Sequence, residues 1–255
     1  MPYTKNGNIN IYYEVEGNGP PLVLHHGFSR SLNDWKSYGY VEELKNEYRL
    51  ILMDARGHGK SDKPDRPEAY TMNERAGDVT SILDNLGIEK TYFFGYSYGG
   101  RVAYELGRCI PERIASLIIG GCGAGPLSSR YVEEKISQLQ HSSKAILTED
   151  IQTSLPRFGM QTCLPTDVID ALTAILKQPW ADLENDLPKM TMPVLLFGGE
   201  SDYALPGMLE AVKYLPDVEF ISFPGLDHQQ TISRIDLIAP VFREFLRRVD
   251  NWKLR

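Results

Sequence analysis

Short apolar runs and amphipathic stretches alternate along this chain. Residues Ile9–Val15 alternate with a period of two, apolar side chains on one side, which predicts a half-buried hairpin strand. Asn18-Gly19-Pro20-Pro21 ends it. Leu22–His25, Tyr48–Met53, Thr91–Phe94, Ile114–Ile119 and Pro193–Phe197 are nearly continuous apolar runs. Such runs predict strands covered on both faces, as in a parallel sheet. Val218–Phe223 alternates more strongly and belongs near a sheet edge.

Between the runs lie stretches with helical spacing: Asp34–Asn46, Met72–Leu86, Gly100–Arg108 and Leu237–Val249. In the second, Ala76, Val79, Ile82, Leu83 and Leu86 share one face, and Gly87 follows as a C-cap. This rhythm predicts an α/β fold, a mostly parallel central sheet flanked by helices with right-handed crossovers. Residues 125–188 break the rhythm: helical pieces appear at Tyr131–Gln140, Thr148–Leu155 and Thr166–Lys177 without a strand. The expected organisation is a core of residues 1–124 and 189–255, with 125–188 inserted as a small helical cap. Such a cap would lie over the C-terminal edge of the sheet, where doubly wound sheets bind ligands.

Composition narrows the function. The 255 residues are 42% hydrophobic and 24% charged, enough to bury a core in one large domain. A net charge of −7 argues against a nucleic-acid partner, which requires a basic stripe. Cys109, Cys122 and Cys163 are odd in number and widely spaced, so neither a disulfide framework nor a metal site is expected. No basic leader and no long apolar span appears, and the expectation is a cytoplasmic protein with no membrane span.

The sharpest local pattern is Gly95-Tyr96-Ser97-Tyr98-Gly99-Gly100, between an apolar strand and a helical segment. Glycines two before and two after a serine let strand and helix approach at a strained turn, which presents the hydroxyl at the strand tip. A nucleophilic serine needs a base, and His228 follows the last strand in Gly225-Leu226-Asp227-His228, read as a loop before the C-terminal helix. The base needs a carboxylate: Asp202 lies in the loop after the strand ending at Phe197, with Glu200 and Asp227 as rivals. Oxyanion donors are expected from the backbone N–H of Tyr98 and, in the turn after Leu22–Leu24, from Phe28.

The pieces His26-Gly27-Phe28, Asp54-Ala55-Arg56-Gly57-His58-Gly59-Lys60-Ser61-Asp62, the Ser97 elbow, Gly199-Glu200-Ser201-Asp202 and Gly225-Leu226-Asp227-His228 together resemble the α/β-hydrolase superfamily. The resemblance extends to the group of carboxylesterases, 3-oxoadipate enol-lactonases, C–C bond hydrolases and cofactor-free haloperoxidases. It implies a catalytic triad of Ser97, Asp202 and His228, with an acyl-enzyme released by water and no metal or organic cofactor. It makes the Asp54–Asp62 loop structural. The pocket would be lined by Phe28, Trp35, Tyr98, Cys122, Trp180 and Tyr203, with Arg130 and Arg157 in the cap region available to an acid group. Haloalkane dehalogenases and many epoxide hydrolases of this fold carry Asp at the elbow, and Ser97 argues against both. The implied partner is a small hydrophobic ester. A lactone, a thioester or a C–C bond on the same triad, acyl transfer to another acceptor, and a slow ligand-binding receptor are the alternatives. A homo-oligomer is left open.

Overall fold

The computed structural model describes residues 2–144 and 164–253. Among them, eight strands form one sheet in the order β1-β2-β4-β3-β5-β6-β7-β8. The strands are β1 (Tyr3–Asn6), β2 (Ile9–Glu16), β3 (Pro21–His25), β4 (Arg49–Met53), β5 (Thr91–Tyr96), β6 (Ile114–Gly120), β7 (Val194–Gly199) and β8 (Val218–Phe223). The first two pair antiparallel with each other, and β2 pairs antiparallel with β4. From β4 through β3 to β8 every pairing is parallel. The alternating last strand is the sheet edge, as its pattern predicts.

The continuous apolar runs are explained by two cores, one on each face. Val23, Ile51, Phe93, Leu117 and Leu196 pack on one side with α3 (Met72–Asn85) and α4 (Tyr98–Cys109). Their neighbours Leu22, Leu24, Leu50, Phe94, Ile118 and Leu195 pack on the other with α9 (Ile235–Lys253). Successive strand residues point to opposite faces, so a strand buried twice has no polar positions to spare.

The predicted helix at Asp34–Asn46 is instead two, α1 (Asn33–Ser37) and α2 (Tyr40–Leu44). Gly39 at φ 84° reverses the chain between them, although the apolar pattern runs straight through. Helix α3 takes the predicted span, with a Thr71 cap whose hydroxyl accepts from the Glu74 amide. Between β6 and β7 the described residues form α5 (Ser129–Lys144) and α6 (Thr166–Lys177), which pack on each other. The stretch Thr148–Leu155 lies outside the described residues. Helices α7 (Leu205–Val212) and α8 (His228–Ser233) follow β7 and β8. No helix among the described residues is long and apolar enough to cross a membrane.

Candidate active site

The tips of β5, β6 and β7 meet side by side, with Tyr96 level with Gly120 and Gly120 level with Phe197. Ser97 sits at the first tip with φ 56° and ψ −109°, outside the regions a residue with a Cβ prefers. The turn survives because its flanks have no side chains. A Cβ on Gly95 would lie 2.0 Å from the Gly99 carbonyl oxygen, and one on Gly99 would lie 2.1 Å from that of His25. Glycine at these places is therefore a requirement of closeness, as the elbow pattern predicts.

Asp202 is buried just beyond β7. Its carboxylate oxygens lie 2.9 and 3.0 Å from Nδ1 of His228 and take a third bond from the Ala204 amide at 2.9 Å. An ionised carboxylate only accepts, so Nδ1 carries the imidazole proton and Nε2 is the ring's acceptor. The rivals lie elsewhere. Glu200 is exposed and accepts from Ser222 Oγ at 3.4 Å. Asp227 caps α8, accepting from the amides of Gln229 and Gln230, while the Gln230 side chain returns to the Asp227 amide. His228 is thus the first residue of a short helix rather than part of a loop. The pattern Asp227-x-x-Gln230 is a capping-box signal that the sequence already carries.

Two residues that the sequence reading passed over hold the imidazole. Tyr96 donates its hydroxyl to the His228 carbonyl at 2.6 Å, and its ring centroid lies 5.2 Å from that of His228. Gly121, at φ 60°, leaves room for the imidazole: a Cβ there would meet His228 Cε1 at 2.9 Å. Among the described residues, Ser97 Oγ has no hydrogen-bond partner. The group facing His228 Nε2 is the hydroxyl of Tyr203, 3.5 Å away.

The turn after β3 lies against the elbow, with a Cβ on Gly27 placed 3.7 Å from Ser97 Cβ. Among the described residues, the Phe28 and Tyr98 amides donate to no acceptor, and Tyr98 is the first residue of α4, where an N–H has no helical partner. Three buried histidines lie alongside. The Ser29 amide donates to His58 Nε2 and the Ala55 amide to His26 Nε2, each at 3.1 Å. Burial drives the pKa of His25 down to about 3 and lowers those of His26 and His58. The Asp54 carboxylate closes its loop by accepting from the amides of Leu32 and Lys60, each at 2.8 Å.

The candidate lining residues divide. Trp180 packs edge-on against Tyr98 at 5.9 Å, and Cys122 lies against α4, where a Cβ on Gly100 would come within 2.9 Å of its own. Burial pushes the Cys122 thiol up to about 12, so it stays protonated. Trp35 is not at this site. It belongs to the core on the other face, packed on Tyr40 at 5.0 Å and Phe94 at 4.9 Å. The cause is its place in α1, which turns the ring under the sheet. Arg130 is exposed and pairs with Glu134 at 2.8 Å. Arg157 lies outside the described residues.

The sequence model of the α/β-hydrolase fold family matches residues 20–134. A candidate 2-succinyl-6-hydroxy-2,4-cyclohexadiene-1-carboxylate synthase of Bacillus subtilis (strain 168) is 26% identical over 94% of this chain and 98% of its own length. Epoxide hydrolase 4 of Mus musculus is 29% identical over 78% of this chain, and the match spans 64% of that protein. A thermophilic esterase of Thermogutta terrifontis, solved with malate bound, superposes with a TM-score of 0.78 at 26% identity, over 96% of this chain and 97% of its own. Sheet order, elbow and these likenesses agree: the chain has the α/β-hydrolase fold.

Proposed function

We propose that this chain is a serine hydrolase that cleaves a carboxylic ester of a small, fairly hydrophobic substrate. The observation that carries the reading is the pairing of buried Asp202 with His228 Nδ1 at 2.9 Å, which leaves Nε2 as the nitrogen that can take a proton. In this reading Ser97 Oγ attacks the carbonyl carbon and its proton passes to Nε2. The carbonyl oxygen, now negative, is held by the Phe28 and Tyr98 amides. Collapse of the intermediate expels the alcohol, which takes the proton from Nε2. Water then repeats the sequence on the acyl-enzyme.

The described part of residues 125–188 acts as the roof of the pocket. Two contacts support this part of the reading. Trp180 rests on Tyr98, and Ile175 of α6 lies over the Asp54–Asp62 loop, where a Cβ on Gly57 would come within 2.9 Å of it. The aromatic and apolar character of Phe28, Tyr98, Trp180 and Cys122 suits an uncharged acyl group.

A fluorophosphonate probe tests the nucleophile directly. The wild-type chain labels and Ser97→Ala does not, and p-nitrophenyl esters of graded acyl length then give the substrate range. A wild-type chain that neither labels nor turns over esters overturns the reading and leaves a ligand-binding protein of the same fold.

A further inference from the structure

We infer that Tyr203 binds the leaving-group oxygen and thereby determines which esters this site opens. The inference rests on the triad reading above. The turn after β7 aims two consecutive side chains at one imidazole. Asp202 points inward to Nδ1, and Tyr203 lies over the ring with its centroid 4.7 Å away and its plane tilted by 35°. Its hydroxyl is 3.5 Å from Nε2. With the Nδ1 proton held by Asp202, the Tyr203 O–H donates and Nε2 accepts.

The path of the proton gives this placement a meaning. Nε2 takes the proton of Ser97 Oγ as the new C–O bond forms. When the intermediate collapses, the ester C–O bond breaks and its electron pair goes to the leaving oxygen. That oxygen receives the proton from Nε2, so it must come within hydrogen-bond reach of that nitrogen. This is the space beside which the Tyr203 hydroxyl stands. Once Nε2 is protonated it no longer accepts, and the hydroxyl is released to donate to the oxygen that is gaining negative charge.

Two further features fit. Tyr131 of α5 lies beside Tyr203, with centroids 6.4 Å apart and planes within 29°. Tyr203 is also 64% exposed, so the group it contacts borders solvent, where a departing alcohol leaves. Phe28 and Trp180, by contrast, pack on the buried Tyr98.

The test uses esters that share one acyl group and differ in leaving group, from p-nitrophenol through phenol to ethanol. It compares wild type, Tyr203→Phe and Tyr203→Leu. The rate constant kcat/KM reports steps up to departure of the alcohol. A hydrogen bond to a charged oxygen that is lost only with poor leaving groups lowers kcat/KM for the ethyl ester at least about tenfold more than for the p-nitrophenyl ester. Both variants therefore show a steeper dependence on leaving-group pKa. Equal changes across the series, including a uniform increase, overturn the inference and reduce the hydroxyl to a cap on the resting base. If the wild type turns over no ester of the series, the triad reading falls and this inference falls with it. Parallel slopes with turnover intact remove this inference alone.

Discussion

The guanidinium of Arg75 forks onto the carboxylate of Glu105, joining α3 to α4 in the interior of the protein. Glu105 also faces Arg101, one turn behind it on α4, at 3.4 Å. All three are buried. Ion pairs at such depth contribute little as pairs, but removing one partner leaves charge without compensation.

Glu105→Ala is therefore expected to destabilise the fold by about 3–5 kcal/mol, since it strands two buried guanidinium groups. Urea unfolding measures it as a lower midpoint at unchanged slope. A loss below about 1 kcal/mol, the range of exposed pairs, contradicts the burial of this network.

The two acids near His228 have different tasks and different signatures. Asp202→Asn leaves Nδ1 facing an amide, and kcat for a p-nitrophenyl ester falls by about three to four orders of magnitude. Asp227→Ala removes the α8 cap and lowers stability by about 1 kcal/mol. A comparable loss of kcat in both variants contradicts the assignment.

Strain at the elbow is measurable where chemistry is already absent. Ser97 sits at φ 56°, which glycine adopts without its Cβ penalty. Ser97→Gly is expected to unfold at a higher denaturant concentration than Ser97→Ala, by about 1 kcal/mol. The reverse order means that the turn is relaxed.

Acid weakens this fold through its buried histidines. Burial puts the folded-state pKa of His25 at about 3, against an ordinary value of 6.5, and shifts His26 and His58 in the same direction. The unfolded chain therefore binds more protons between these values, and stability is lost as pH falls from about 6.5. His25 alone removes about 2 kcal/mol by pH 5. Unfolding midpoints at pH 7.5 and pH 5 test this, and equal values refute it.

Much of the fold was legible because its strands are buried on both faces and its elbow needs glycines at fixed offsets. Ser97, Asp202 and His228 follow from that framework. The α1–α2 break was hidden because Gly39 interrupts the backbone without interrupting the apolar pattern. The support of the imidazole by Tyr96 and Gly121 was hidden for another reason: it depends on three strands lying in register, which no local spacing reveals. Trp35 shows the converse error, an aromatic near a functional turn whose helix carries it to the opposite core. The Arg101–Glu105 pair is readable as residues four apart on a helix, whereas its extension to Arg75 exists only in the packed structure.

Arg101 also fixes where this protein can be recombined with its relatives. Its guanidinium donates to the carbonyls of Ala124, at 2.7 Å, and Ala181, the points where the chain departs from β6 and comes back toward β7. Its own amide donates to the Ser97 carbonyl at 3.0 Å. A foreign segment grafted between those two alanines keeps both carbonyls and inherits a ready-made seat on the helix that begins at the elbow. Junctions drawn inside that interval discard one half of the seat.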